Sequence, residues 1–160
     1  MDFKPVEGVN YMINEGRAGD IYIGMSQEML MDALGEDHLD FEQKAGQNTR
    51  YMVRLGENKP HSMEVMVNCV GDSCSVNAVT VFDPNYQTAK GVKIGDKLSA
   101  IYDNYTGLNL SGKNTRQMVY TNDLQHVAFI IDATNIESGV TEPSMEDVAM
   151  HTPIIGFYLF

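Results

Sequence analysis

The chain contains no tryptophan, only two cysteines and few bases. Its 11 Lys and Arg stand against 22 Asp and Glu, for a formal net charge of −11 at pH 7. A phosphate backbone repels such a surface, so nucleic acid is not an expected partner. No apolar run approaches the 18 or so residues of a membrane span, and Met1-Asp2-Phe3-Lys4-Pro5 does not read as a secretory signal. The leader of an exported protein would therefore lie outside this sequence. G-x-S-x-G, H-E-x-x-H, P-loop and D-x-D-x-D-G patterns are also missing, so no catalytic residue, metal or cofactor is expected. What is present suffices for one core: 160 residues, 43% of them hydrophobic, read as a single domain over 1–160.

Charge is segregated along the chain. From Ala18 to Gln43 there is no Lys or Arg, while Asp20, Glu28, Asp32, Glu36, Asp37, Asp40 and Glu42 are all there. From Gln117 to Phe160 bases are again absent, against Asp123, Asp132, Glu137, Glu142, Glu146 and Asp147. Such stretches keep a domain soluble, and they also steer a basic partner onto it.

Periodicity supplies the elements. Ile21 and Ile23 alternate as a short strand before Gly24, and Ser26 is placed to cap a helix with Glu28 in its first turn. Leu30, Ala33 and Leu34 share a face of that helix, and Gly35 stops it. Glu36 to Gln47 reads as an acidic linker. Period-two alternation then marks strands at Tyr51–Leu55, Met63–Cys69 and Val76–Phe82, the last two joined at Val70-Gly71-Asp72-Ser73. The opening motif returns as Val92-Lys93-Ile94-Gly95-Asp96, followed by a helix with Leu98, Ile101, Tyr102 and Tyr105 on one face. Strands at Gln117–Thr121, His126–Asp132 and Ile154–Phe160 complete the set, with Ala133–Thr152 an aperiodic surface excursion. The expected fold is α+β: two strand–helix–sheet halves, about 19–83 and 90–160, forming one antiparallel sheet with both helices packed on one face.

Cys69 and Cys74 flank the hairpin turn, where opposed positions come within disulfide range. An oxidising compartment would join them and a reducing one would leave two thiols. His38, His61, His126 and His151 are scattered; His38 beside Glu36, Asp37 and Asp40 reads better as a solvated linker than as a cation site. Met52 and Met66 occupy the strand faces opposite the aliphatic ones, which makes that face a docking surface or the back of a second core layer.

The segment Met66–Tyr105, with its hairpin, Val79-Thr80-Val81-Phe82-Asp83 and Thr88-Ala89-Lys90-Gly91-Val92-Lys93-Ile94-Gly95, resembles bacterial envelope lipoproteins of unknown function, the sigma-E-regulated ones nearest. The Gly19–Gly35 motif is similar to their preceding strand–helix segment. More loosely, Ile23-Gly24-Met25-Ser26 plus a helix ending in Gly is similar to repeats of the barrel-assembly lipoprotein and of beta-lactamase inhibitors. The resemblance implies a periplasmic or envelope location and an oxidised Cys69–Cys74 pair. No lipid-attachment Cys stands near the start, and a cytoplasmic location stays open.

The expected function is a non-enzymatic, exported binding protein acting by protein–protein contact, an inhibitor or immunity protein directed at a basic enzyme. Its contact residues would be Glu36, Asp37, Asp40 and Glu42 with Tyr86 as an aromatic anchor, and Glu137, Glu142, Glu146 and Asp147. The alternatives are an envelope domain with a structural or assembly role, and a small hydrolase assembled around His126 or His38.

Overall fold

The computed structural model describes residues 3–35, 38–56, 58–113, 116–132, 134, 136 and 142–160. Among the described residues twelve strands fall into two sheets. The large sheet is eight-stranded and antiparallel, in the order β4-β5-β6-β7-β12-β11-β10-β9. Its strands are β4 (Leu39–Ala45), β5 (Asn48–Arg54), β6 (His61–Val70), β7 (Ser73–Val81), β9 (Asn109–Lys113), β10 (Arg116–Thr121), β11 (Leu124–Ile131) and β12 (Ile154–Leu159). Two meanders, β4–β7 and β9–β11, leave the centre open, and the apolar C-terminal strand β12 fills it. The small sheet, β3-β2-β1-β8, is built from β1 (Met12–Asn14), β2 (Arg17–Ala18), β3 (Ile21–Tyr22) and β8 (Gln87–Thr88).

Between the layers lies one hydrophobic cluster. The large sheet contributes Val53, Val65, Val79, Phe129, Phe157 and Leu159, the small sheet Ile13, Ala18 and Ile21, and the helices Leu30, Leu98 and Ile101. The alternation along β5 and β6 puts Val53 and Val65 on one face, as the period-two pattern dictates.

The α+β expectation is overturned: the protein is mostly β, with two sheets and two short helices. Helix α1 (Gln27–Leu34) has eight residues and α2 (Leu98–Asn104) has seven. At 1.5 Å per residue neither exceeds about 12 Å in length. Eight strands at about 4.8 Å spacing spread over more than about 30 Å. Two such helices cannot roof that sheet, and the small sheet with its connecting turns supplies most of the second layer.

Local signals at α1 hold. Ser26 Oγ accepts from the Met29 amide at 3.1 Å, and Gly35 closes the helix at φ 75° with its N–H on the Met31 carbonyl. Within the stretch 36–47 read as an acidic linker, Leu39–Ala45 is instead the edge strand β4. Its polar, charged sequence suits an edge that must not recruit another chain.

Candidate binding cleft

The turn Phe82-Asp83-Pro84-Asn85-Tyr86 leaves the large sheet and organises the N-terminal segment. Asp83 is buried, and its carboxylate accepts from Ser62 Oγ at 2.8 Å and from the Asn85 amide and Nδ2 at 2.9 Å each. Asn85 Nδ2 also donates to the Phe3 carbonyl at 2.7 Å. The Val6 amide donates to the Tyr11 hydroxyl at 2.9 Å, and the Tyr11 ring meets Tyr86 edge-on at 5.0 Å. These contacts hold residues 3–11 against the body as a wall.

Between that wall, the β2–β3 turn and the C-terminal end of α1 opens a cleft of about 330 Å³. Ile21, Leu55, Met63 and Tyr86 reach it from the core, and Val9 and Leu34 line it from opposite walls. Its polar lining includes Glu7, Asp20 and His38, and no Lys or Arg is among the described residues that line it. The His38 Nδ1 atom is buried and has no hydrogen-bond partner among the described residues. Tyr86 is 2% exposed. Burial pushes the Tyr86 phenol well above its ordinary range, and the charges of Asp83, Tyr11 and Asp20 push it further the same way. It is therefore a neutral hydroxyl, able to donate and accept, in a negative field.

A second, more open hollow of about 320 Å³ lies between the β1–β2 turn, His126 and Phe160, with the Arg17 guanidinium 4.6 Å over the Tyr22 ring.

The sequence-derived contact residues are not gathered in one place. Glu36, Asp37 and Glu137 lie outside the described residues. Asp40, on β4, accepts an ion pair from Arg54 at 3.0 Å and faces His61 at 3.0 Å. Glu42 pairs with Lys44 at 3.3 Å. Glu142 and Glu146 are exposed on the segment before β12, and Asp147 accepts from the Ser144 amide at 2.7 Å in a capping box. That segment is tied to α2 by Ser99 and Leu98 amides donating to the Met150 and Thr152 carbonyls. Tyr86, expected as an aromatic anchor, is buried beside the cleft. Glu7, Asp20 and Asp83 escaped the sequence reading. The signal that could have found Asp83 is its position two before Asn85 in an Asp-Pro-Asn turn.

Cys69 and Cys74 face each other across the β6–β7 hairpin and form a disulfide, a bond compatible with an oxidising compartment. No group of three His, Cys, Asp or Glu that could hold a metal occurs among the described residues. Nor is any helix among them long and apolar enough to cross a membrane. The large sheet's other face has no second sheet or helix over it among the described residues. Met118, Ala128 and Ile130 form a small cluster there, beside rings of Tyr158 and Tyr120 that each contact Phe160 at 5.6 to 5.7 Å.

Fold and site together define a mostly β, two-sheet domain with a negatively lined cleft between its layers. The chain belongs to the family described as "Protein of unknown function (DUF1131)", whose model matches residues 8–143. The crystal structure of the uncharacterized protein yfeY from Escherichia coli is similar, with a TM-score of 0.63 at 17% identity, over 94% of this chain and 98% of that one. At that identity the likeness concerns the fold alone. A search of the curated proteins finds no match. The protein thus stands in a family of unknown function.

Proposed function

We propose that this protein works by binding another protein, in the manner of an inhibitor or immunity protein directed at a basic partner, and that it does so in an oxidising compartment of the cell envelope. The observation that carries this reading is the placement of the base-free stretch 18–43. It forms α1 and the β2–β3 turn at the cleft, with Glu28 and Asp32 exposed one helical turn apart and Met29, 48% exposed, between them. An apolar contact framed by carboxylates suits a basic surface, steering it at range and packing once docked. The disulfide and the resemblance to envelope lipoproteins support the compartment.

The test is capture from the source organism's envelope fraction, followed by cross-linking to locate the contact. A basic protein should cross-link to α1, and its binding should fall steeply between low and physiological salt. Glu28→Lys with Asp32→Lys should abolish it. A partner indifferent to salt and to these reversals would refute the reading. A second reading, assembly into a larger envelope complex, is favoured by the aromatic group of Tyr120, Tyr158 and Phe160 on the large sheet's other face. Cross-links confined to that face would select it.

A further inference from the structure

The cleft has a built interior whose chemistry is more specific than a negative surface. Its deep residues, Met63 and Tyr86, are at most 2% exposed, so the cavity penetrates to the core. His38 lines it with a buried Nδ1 that has no hydrogen-bond partner among the described residues, and Tyr86 lines it too. Buried polar atoms are almost always partnered, and an orphan nitrogen in a cavity calls for a partner from outside. The charged groups that line it, Glu7 and Asp20, are both acidic. Asp83 and Asp20 add negative potential at Tyr86, as the upward push on its phenol reflects. Between these polar points the walls are apolar, from Val9, Leu34 and Leu55.

We propose that this cleft receives the side chain of a lysine from the partner protein. The four-carbon stem matches the apolar walls, and the ammonium supplies donors to the Tyr86 oxygen and His38 Nδ1 within the field of Asp20 and Glu7. An ammonium brings three donors and no acceptor, which fits a site that offers acceptors and negative charge. A carboxylate of equal length would meet the same walls and be repelled. The inference rests on the protein-binding reading and names the group that binding would deliver.

The experiment uses the isolated protein with methyl-labelled methionine, the Met63 signal assigned through Met63→Leu, and four probes. These are a capped Gly-Lys-Gly peptide, its Nε-acetyllysine counterpart, n-pentylammonium and hexanoate. The lysine peptide should shift the Met63 methyl and Tyr86 ring signals saturably, and more tightly than pentylammonium does. The acetylated peptide and hexanoate should leave them unmoved. Glu7→Gln with Asp20→Asn should weaken the peptide roughly fivefold, and Tyr86→Phe, which keeps the ring packing, roughly tenfold. Equal shifts from hexanoate, no saturable shift from the lysine peptide, or tighter binding of free pentylammonium would each overturn the assignment. The two proposals fail separately. A partner that docks on α1 while lysine probes stay out sinks the cleft alone. Lysine entry without any salt-sensitive protein partner sinks the binding-protein reading alone.

Discussion

The Gly24 amide donates to the Val76 carbonyl at 2.7 Å, and the Val76 amide returns a bond to Met25 at 2.8 Å. Gly95 and Ile154 repeat the arrangement: the Gly95 amide reaches the Ile154 carbonyl at 2.9 Å, and Ile154 donates back to Asp96 at 2.8 Å. Val76 and Ile154 belong to the adjacent central strands β7 and β12, and their antiparallel register sets the two Ile-x-Ile-Gly or Val-x-Ile-Gly turns toward opposite ends of that strand pair.

Both glycines require positive φ, 89° and 95°, with open space where a Cβ would stand. Gly24→Ala and Gly95→Ala should therefore each cost about 1–2 kcal/mol, from backbone strain alone. Gly19→Ala should cost more, because at φ 61° its Cβ would also run into the Asn10 carbonyl oxygen. Urea midpoints of the three variants give the order, and a Gly19→Ala milder than the other two would contradict it.

Replacing Cys69 and Cys74 by Ser should lower stability by about 2 kcal/mol, since the bond closes only a short loop. The same loss should follow reduction with dithiothreitol, read from the shift in denaturation midpoint. An unchanged midpoint would show the hairpin to be held entirely by its ladder.

Removing the Asp83 carboxylate orphans the Ser62 hydroxyl and the Asn85 amide in a buried place. Asp83→Ala should cost about 3 kcal/mol and raise amide exchange in residues 3–11, whose wall depends on Asn85. Full stability with unaltered exchange would remove Asp83 from its role in building the cleft.

Alkaline stability should be limited by tyrosines. Burial raises the Tyr86 and Tyr105 phenols, with the Tyr105 bond to Thr88 at 2.8 Å opposing the rise only in part. Groups raised on folding contribute stability that is full below the unfolded value of 10.0 and lost as pH rises beyond it. Unfolding free energy should thus fall above pH 10, and Tyr105→Phe should flatten that fall.

Acid acts in the opposite sense at Asp123. The Thr106 amide at 2.6 Å and its hydroxyl at 2.8 Å hold this carboxylate below its ordinary 3.8. Its contribution is complete above that value and disappears as pH drops through the lowered one. Asp123→Ala should therefore be destabilised at pH 7 and indistinguishable from the parent in strongly acidic solution, by chemical denaturation at each pH.

Local chemistry was legible wherever one residue decides its own surroundings. Ser26 and Gly35 bound α1, the 70–73 turn joins β6 to β7, and the alternation of Val65, Val67, Val79 and Val81 selects the core face, all readable from spacing. The polar edge strands β4 and β9 and the short strands β1, β2 and β8 of the small sheet carry no such period, whereas Ile21 and Ile23 do mark β3. The strand character of those without it comes from a neighbour's unpaired ladder and not from a periodic run of their own. The sequence by itself thus determined an acidic chain of buried-face strands, a capped first helix and a cysteine pair astride a turn. Only the tertiary structure decided that β12 would part the two meanders, that a second sheet would replace the expected helical roof, and that Tyr86 would stand at a cleft with Asp20, Glu7 and His38. Those positions depend on contacts between residues far apart in the chain, and hydrophobic periodicity carries no record of which distant partner a face will meet.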